Sequence, residues 1–301
     1  MSVGRINWNL VCGRALLVYQ MPKVGSQTIE STLQASSLPQ RIYRFHYLSD
    51  ASAAALRQSV RTGAARGTAK REVLEQLSLR ARMSFSLRLR RRFCAYGFPL
   101  PPLLVITAVR DIITAALSSI FQNYSYFAAS PELLTQEICR KTLVHPKTCQ
   151  AVQDWFDLEL RPHIGIDVFE QPFPTQARHA IYESRFARVL LYRFDLLPDI
   201  GPFLEVFVGQ KIQELISRNL GAEKAYSSHY AQVRQQLWLS RAFVAEQLGS
   251  QLMRHFYSRE EIEGLWLHWN ARLSDPPRGR KNDLSGRTYS SSPSLAVSDA
   301  A

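Results

Sequence analysis

Short apolar runs alternate with stretches of helical periodicity along this chain. Ala15–Gln20 (ALLVYQ) is apolar on both faces and predicts a short buried strand. A polar loop follows, then Thr28–Ala35, where Ile29 and Leu33 share one helical face and Glu30 sits in the first turn, at the positive end of the helix dipole. Arg41–Leu48 sets Ile42, Arg44 and His46 against Tyr43, Phe45 and Tyr47 and predicts a second strand. Ala51–Phe93 has no proline and interleaves arginine with leucine, which predicts one or two basic helices with a break near Gly63 and Gly67. Leu103–Val109 (LLVITAV) is the clearest strand, and Ile112–Phe127 reads as the helix after it.

Ser130-Pro131-Glu132 has the pattern of a cap, a proline in the first turn and an early acid, and predicts a helix start. Ile166–Phe169, His179–Glu183 and Val189–Phe194 are further strand candidates, and the chain is mainly helical after about Pro202. Ser258 through Glu261 forms a capping box, with Tyr257 and Ile262 placed for the hydrophobic staple. From Ser274 on, few large apolar residues remain, and 274–301 is expected to be a disordered tail. Buried strands alternating with helices give an α/β fold, one domain over residues 1–273 with helices on both faces of a mostly parallel sheet. Residues 51–100 read as a basic helical insertion in it.

Composition narrows the class. Hydrophobic residues make up 46% of the 301, enough for a substantial core without staples. Cys12, Cys94, Cys139 and Cys149 follow no metal-ligand spacing and read as idle thiols in a reducing compartment, with a Cys139–Cys149 pair as the alternative were the protein exported. No apolar run reaches membrane-spanning length, so a cytoplasmic protein is expected. The net charge is +12, and residues 57–92 carry eleven Lys or Arg against Glu72 and Glu75. Such a segment attracts polyanions, anionic lipid or phosphate-rich nucleotides, and charge alone does not choose among them. As a plain solvated face it needs no function at all. No nucleic-acid module or regular aromatic interleaving accompanies it, so no specific nucleic-acid partner is expected.

Two units could carry chemistry. The loop Pro22-Lys23-Val24-Gly25-Ser26-Gln27-Thr28 leaves a strand and opens a helix, which aims free backbone N–H groups and the helix dipole at one point. Gly25 lets the backbone approach an anion, Ser26 and Thr28 add hydroxyls, and Lys23 adds a full charge. The lysine precedes the glycine, so this is not a Walker A loop. An ordinary strand-to-helix turn with a solvated lysine would look similar. The second unit is Arg110 at the carboxyl end of a central strand, with Ser118 two turns into the next helix. Open α/β sheets bind ligands at such strand ends. A surface ion pair and a small packing residue are the alternative reading.

Together the two units resemble the sulfotransferase superfamily. There, a Pro-Lys-x-Gly-Ser/Thr loop binds the 5′-phosphosulfate end of 3′-phosphoadenosine-5′-phosphosulfate, and a strand-end Arg with a Ser eight residues on binds the 3′-phosphate. Val24 is similar to the carbohydrate-modifying branches, and Leu190–Leu196 (LLYRFDL) to that family's late strand. More narrowly, Gln20–Thr28 with Phe45-His46-Tyr47-Leu48, Phe121-Gln122-Asn123, Ile166-Asp167-Val168 and His255-Phe256-Tyr257 resembles a bacterial group of capsular polysaccharide synthesis proteins. Ile112 stands where the superfamily usually has proline, and Thr114-Ala115-Ala116 where many members carry a further basic residue.

The resemblance implies a three-layer, P-loop-like sulfotransferase fold and transfer of a sulfuryl group to a carbohydrate hydroxyl, an acidic glycan being one candidate acceptor. It implies Lys23 as catalytic cation and His46 as general base, with Glu30 and Asp50 as fallback bases. The nucleotide would be held by Lys23, Val24, Gly25, Ser26, Gln27, Thr28, Arg110 and Ser118, and closed over by a late basic loop containing Asn219 and Lys224. No metal is required. A nucleotide-triphosphate-dependent kinase and a polyanion-binding protein with a decayed nucleotide site are the competing classes, and peripheral membrane contact is compatible with any of them.

Overall fold

The computed structural model describes residues 6–63, 67–124, 128, 130–216 and 226–270. Asn219, Lys224 and the tail from residue 274 lie outside them.

Five strands form one sheet: β1 Ala15–Tyr19, β2 Arg41–Phe45, β3 Leu103–Val109, β4 His179–Glu183 and β5 Ala187–Arg193, in the order β2-β1-β3-β5-β4. The four strands other than β4 run parallel. Every residue of β1 is buried, as a central strand covered on both faces requires. β4 pairs antiparallel with β5 because three residues separate them, too few for a crossover. Helices surround the sheet: α1 Trp8–Val11, α2 Ser26–Ala35, α3 Asp50–Arg61, α4 Gly67–Ala95, α5 Ile112–Gln122, then α6 Gln136–Leu143, α7 Pro146–Gln153, α8 Arg161–Ile164 and α9 Gly201–Val208, and finally α10 Ser227–Gln236, α11 Arg241–Leu248, α12 Gln251–Phe256 and α13 Arg259–Asn270.

The order has a functional consequence. From β1 the chain moves outward to β2, then returns across β1 to β3. The carboxyl ends of β1 and β3 therefore flank the point where the direction of winding reverses, the usual ligand crevice of an open α/β sheet. The Lys23 loop leaves one of these ends and Arg110 the other.

Several boundaries differ from the sequence reading, each for a local reason. β2 stops at Phe45 because the residues after it bond elsewhere: the His46 ring nitrogen Nδ1 meets Gln20 O at 2.8 Å, and the Leu48 and Ser49 amides are captured by the Glu159 carboxylate. α5 ends at Gln122, where Asn123 turns its side-chain amide back onto Ser119 O at 3.0 Å, and residues 125–127 of the expected helix lie outside the described ones. Ser130 does not cap a helix. Pro131–Leu133 is a single 3₁₀ turn, and the cap of α6 is Thr135, whose hydroxyl accepts from the Ile138 amide. Ile166–Phe169 is not a strand: Asp167 accepts the Phe169 amide at 2.9 Å, and that local bond bends the backbone into a turn although Ile166 and Val168 are buried. The Ser258–Glu261 capping box forms with both reciprocal bonds, at 2.7 and 3.2 Å. All four cysteines are free thiols, so Cys139 and Cys149 are not bridged.

Candidate functional site

The floor of the site is a buried polar layer under the first loop. Gln20, fully buried, donates from Nε2 to the Tyr192 hydroxyl at 3.3 Å, and that hydroxyl donates to Val24 O at 3.4 Å. Burial pushes the Tyr192 phenol up, so it stays protonated as a donor. The layer ties the loop to β5 through Val24, whose side chain is buried in the core. Lys23 and Gly25 both take positive φ, 73° and 81°. For Lys23 this is an uncommon conformation, of the kind that concentrates at functional sites. Gly25 is required by its left-handed backbone, and a Cβ there would also push aside the Leu197 Cδ2 methyl, 2.5 Å away.

Gly25 is also the N-cap of α2 and offers no capping side chain. The Ser26 and Gln27 amides make no hydrogen bond among the described residues, while the Ile29 amide closes the first helical bond to Gly25 O. Unfilled donors at a helix start form an anion site by backbone geometry alone. Ser26 and Thr28 are nearly buried against this start, and Gln27 is half-buried.

Arg110 folds directly onto this turn. Its Nη1 donates to Lys23 O at 3.0 Å, and its guanidinium lies 4.2 Å from the Phe194 ring centroid. The Lys23 ammonium reaches the other way and donates to Gln122 Oε1. Ser118 lies four residues before Gln122 on α5 and so on the same helical face, and its hydroxyl bonds the Tyr230 hydroxyl at 3.1 Å. Lys23, Arg110 and Ser118 thus converge at one edge of the sheet. Local packing explains the residues that stand at Ile112 and Thr114–Ala116. Asp111 caps α5 through the Thr114 amide at 2.9 Å with Ile112 buried behind it, and Ala115 and Ala116 face the core, where a basic side chain would have no room.

His46 is adjacent to the same loop. A carbonyl can only accept, so the bond to Gln20 O places the ring proton on Nδ1 and leaves the Nε2 lone pair unused; Nε2 makes no hydrogen bond among the described residues. Burial, followed by the fields of Arg44 and Lys23 and opposed by that carbonyl, lowers its pKa to about 4, so the imidazole is neutral at pH 7. The two fallback bases are neutralised by partners: Glu30 pairs with Arg44 at 2.6 Å, and Asp50 pairs with Arg80, which holds its carboxyl below the ordinary range.

Glu159 was missed by the sequence reading. It sits in a π-helical turn, Phe156–Leu160, almost fully buried, and accepts five hydrogen bonds: from Tyr19 Oη, from the Leu48 and Ser49 amides, and from the Ser49 and Ser52 hydroxyls, at 2.6–3.0 Å. Burial, with the Glu159 charge second, pushes the Tyr19 phenol well up and keeps it a donor. Trp155 Nε1 donates to His46 O at 3.0 Å from the turn before. This turn therefore clamps the whole His46–Ser52 segment. A signal existed: Trp155, Phe156 and Glu159 share one helical face, and an acid on an apolar face demands buried donors.

Arg193, at the carboxyl end of β5, was likewise overlooked; its buried guanidinium pairs with the partly exposed carboxylates of Asp195 and Glu261. Among the described residues no group of His, Cys, Asp and Glu has a metal-binding arrangement, and no helix is long and apolar enough to cross a membrane.

Residues 133–258, less than half of the chain, match the family model described as "Putative capsular polysaccharide synthesis protein". The match supports the likeness to that group. It takes in Glu159, Arg193 and Tyr230, while the Lys23 loop, His46, Arg110 and Ser118 precede it. No curated protein and no solved structure matches the chain.

Proposed function

We propose that this chain is a sulfotransferase of capsular or related polysaccharide synthesis, moving a sulfuryl group from 3′-phosphoadenosine-5′-phosphosulfate to a sugar hydroxyl. One observation carries the reading: Arg110 donates to the carbonyl of Lys23 inside the Gly25 turn, so two units distant in sequence meet at the winding reversal. The donor set fits a doubly phosphorylated nucleotide. The α2 amides and Ser26 suit the 5′-phosphosulfate oxygens, Lys23 the bridging oxygen, and Arg110 with Ser118 the 3′-phosphate. The family match at residues 133–258 supports a carbohydrate acceptor.

In the transfer, the acceptor oxygen forms a bond to sulfur as the bond from sulfur to the bridging oxygen breaks, and the nucleotide leaves as 3′-phosphoadenosine-5′-phosphate. As in phosphoryl transfer, alignment and charge stabilisation at the leaving oxygen supply most of the catalysis. Lys23 neutralises that oxygen. His46 Nε2 takes the acceptor proton. Its basicity in the free protein is low, and a polyanion beside Lys23 offsets the cationic field that depresses it.

Calorimetry with 3′-phosphoadenosine-5′-phosphate tests the reading. Saturable binding is expected, falling on Lys23→Ala, with donor-dependent transfer lost by about a hundredfold or more. Absence of binding by the wild-type chain ends it. A preference for ATP with Mg²⁺ transfers the site to kinase chemistry.

A further inference from the structure

Helix α4 is about 43 Å long at 1.5 Å per residue. It is anchored from below. Buried Arg90 donates to the carbonyls of Val11, Pro101 and Phe186, and Arg80 donates to Leu48 O at 2.9 Å beside the segment that carries His46. At 100° per residue, Lys70, Arg71, Leu74, Ser78, Arg82, Phe85, Arg88 and Arg92 all project within one sector of about 120°. All of these are exposed, Leu74 by 48% and Phe85 by 39%, and so is Tyr96 just past the helix end, by 81%.

The sector is therefore cationic and apolar at once. Glu75, just beside the sector, is paired with Arg71, and Arg82, Arg88 and Arg92 have no ion pair among the described residues. The apolar part continues off the helix. The Asn7 amide donates to Ser86 Oγ at 2.9 Å, which holds the segment carrying Ile6 and Trp8, 36% and 58% exposed, against α4 one residue from Phe85.

From this combination we infer that the exposed face of α4, with Ile6 and Trp8, is a docking surface for an anionic lipid bilayer. Charge complementarity selects a polyanion, and the apolar tips select which one. A nucleic acid or acidic glycan would neutralise the arginines and leave Leu74, Phe85 and Trp8 in water. A bilayer surface takes both, lipid headgroups meeting the guanidiniums and the acyl boundary receiving the apolar side chains. A helix lying in the interface needs no spanning segment. The inference stands independently of the transfer chemistry.

The test uses the full chain and sedimentation with vesicles of phosphatidylcholine alone or mixed with phosphatidylglycerol, at physiological salt. Binding is expected to the mixed vesicles only. Neutralising Arg82, Arg88 and Arg92 together (each to Gln) should weaken it about a hundredfold, because each basic residue at an anionic surface contributes about fivefold. Trp8→Ser with Phe85→Ser should weaken it about tenfold or more. Trp8 fluorescence should be quenched by brominated lipid, a signal missing from Trp8→Phe, which keeps the fold.

Equal sedimentation with both vesicle types, none with either, or no quenching assignable to Trp8 overturns the inference. So does a polyanion such as DNA or heparin binding the Trp8/Phe85 variant as tightly as wild type while vesicles fail to sediment either, which would make the face a polyanion site. Cooperative thermal unfolding of each variant establishes that lost binding is not lost folding.

Discussion

At the Gly25 turn the Ser26 and Gln27 amides have no acceptor among the described residues, whereas at the neighbouring strand end Arg110 and Ser118 already bond protein. The first arm is held from beneath by buried groups: Gln20 and Tyr192 under the loop, and Glu159 and Trp155 under the His46 segment. The second arm rests on contacts that a ligand can exchange. A guanidinium has five N–H donors, and the bond to Lys23 O uses one of them. Preorganisation of this kind separates a part that receives charge at no rearrangement cost from a part that must trade partners.

The largest effect should come from removing the support of the first arm. Glu159→Leu leaves the Leu48 and Ser49 amides buried without an acceptor and should cost about 3 kcal/mol or more in urea unfolding, with Glu159→Gln much milder. Normal stability of the leucine variant would show that the first arm does not depend on this clamp. Next, Arg110→Lys keeps the charge but loses the fork and its stacking on Phe194. Affinity for 3′-phosphoadenosine-5′-phosphate should fall about tenfold or more while that for the nucleotide lacking a 3′-phosphate barely changes. An equal loss for both would erase the distinction between the arms.

The pH dependence is a smaller effect. The folded pKa of His46, about 4, lies below its ordinary 6.5, so the unfolded chain takes up a proton first. His46 therefore contributes stability that is complete above pH 6.5 and is progressively lost as pH falls toward 4, and His46→Gln should flatten the melting temperature over that window. The acid limb of transfer should likewise lie below pH 6.5. Smallest of all, Ser118→Ala removes one hydroxyl whose Tyr230 partner can turn to solvent, and nucleotide affinity should drop only severalfold.

How much of this was legible in the chain follows from the range of the interactions. β1, β3 and the α2 start were readable because an apolar run bounded by a loop, and a glycine before a helix, are local signals. The loop Pro22–Thr28 and the Arg110–Ser118 spacing were readable for the same reason. Glu159 was not singled out, because its five donors come from β1, from the β2–α3 connection and from the first turn of α3, over a hundred positions earlier in the chain. Ile166–Phe169 looked like a strand because its burial is real, and only the Asp167 side-chain bond shows that the backbone turns there.

By itself the amino-acid sequence determined the α/β alternation, the glycine turn that opens α2, the strand-end arginine and the basic stretch of residues 57–92, since each rests on neighbours in the chain. Tertiary structure alone decided that Arg110 closes onto Lys23, that His46 is neutral with its Nε2 lone pair unused, and that arginines and aromatics of α4 share one exposed face. Those outcomes depend on which strand lies beside which and on how much water burial excludes, and neither quantity is a property of any local run of residues.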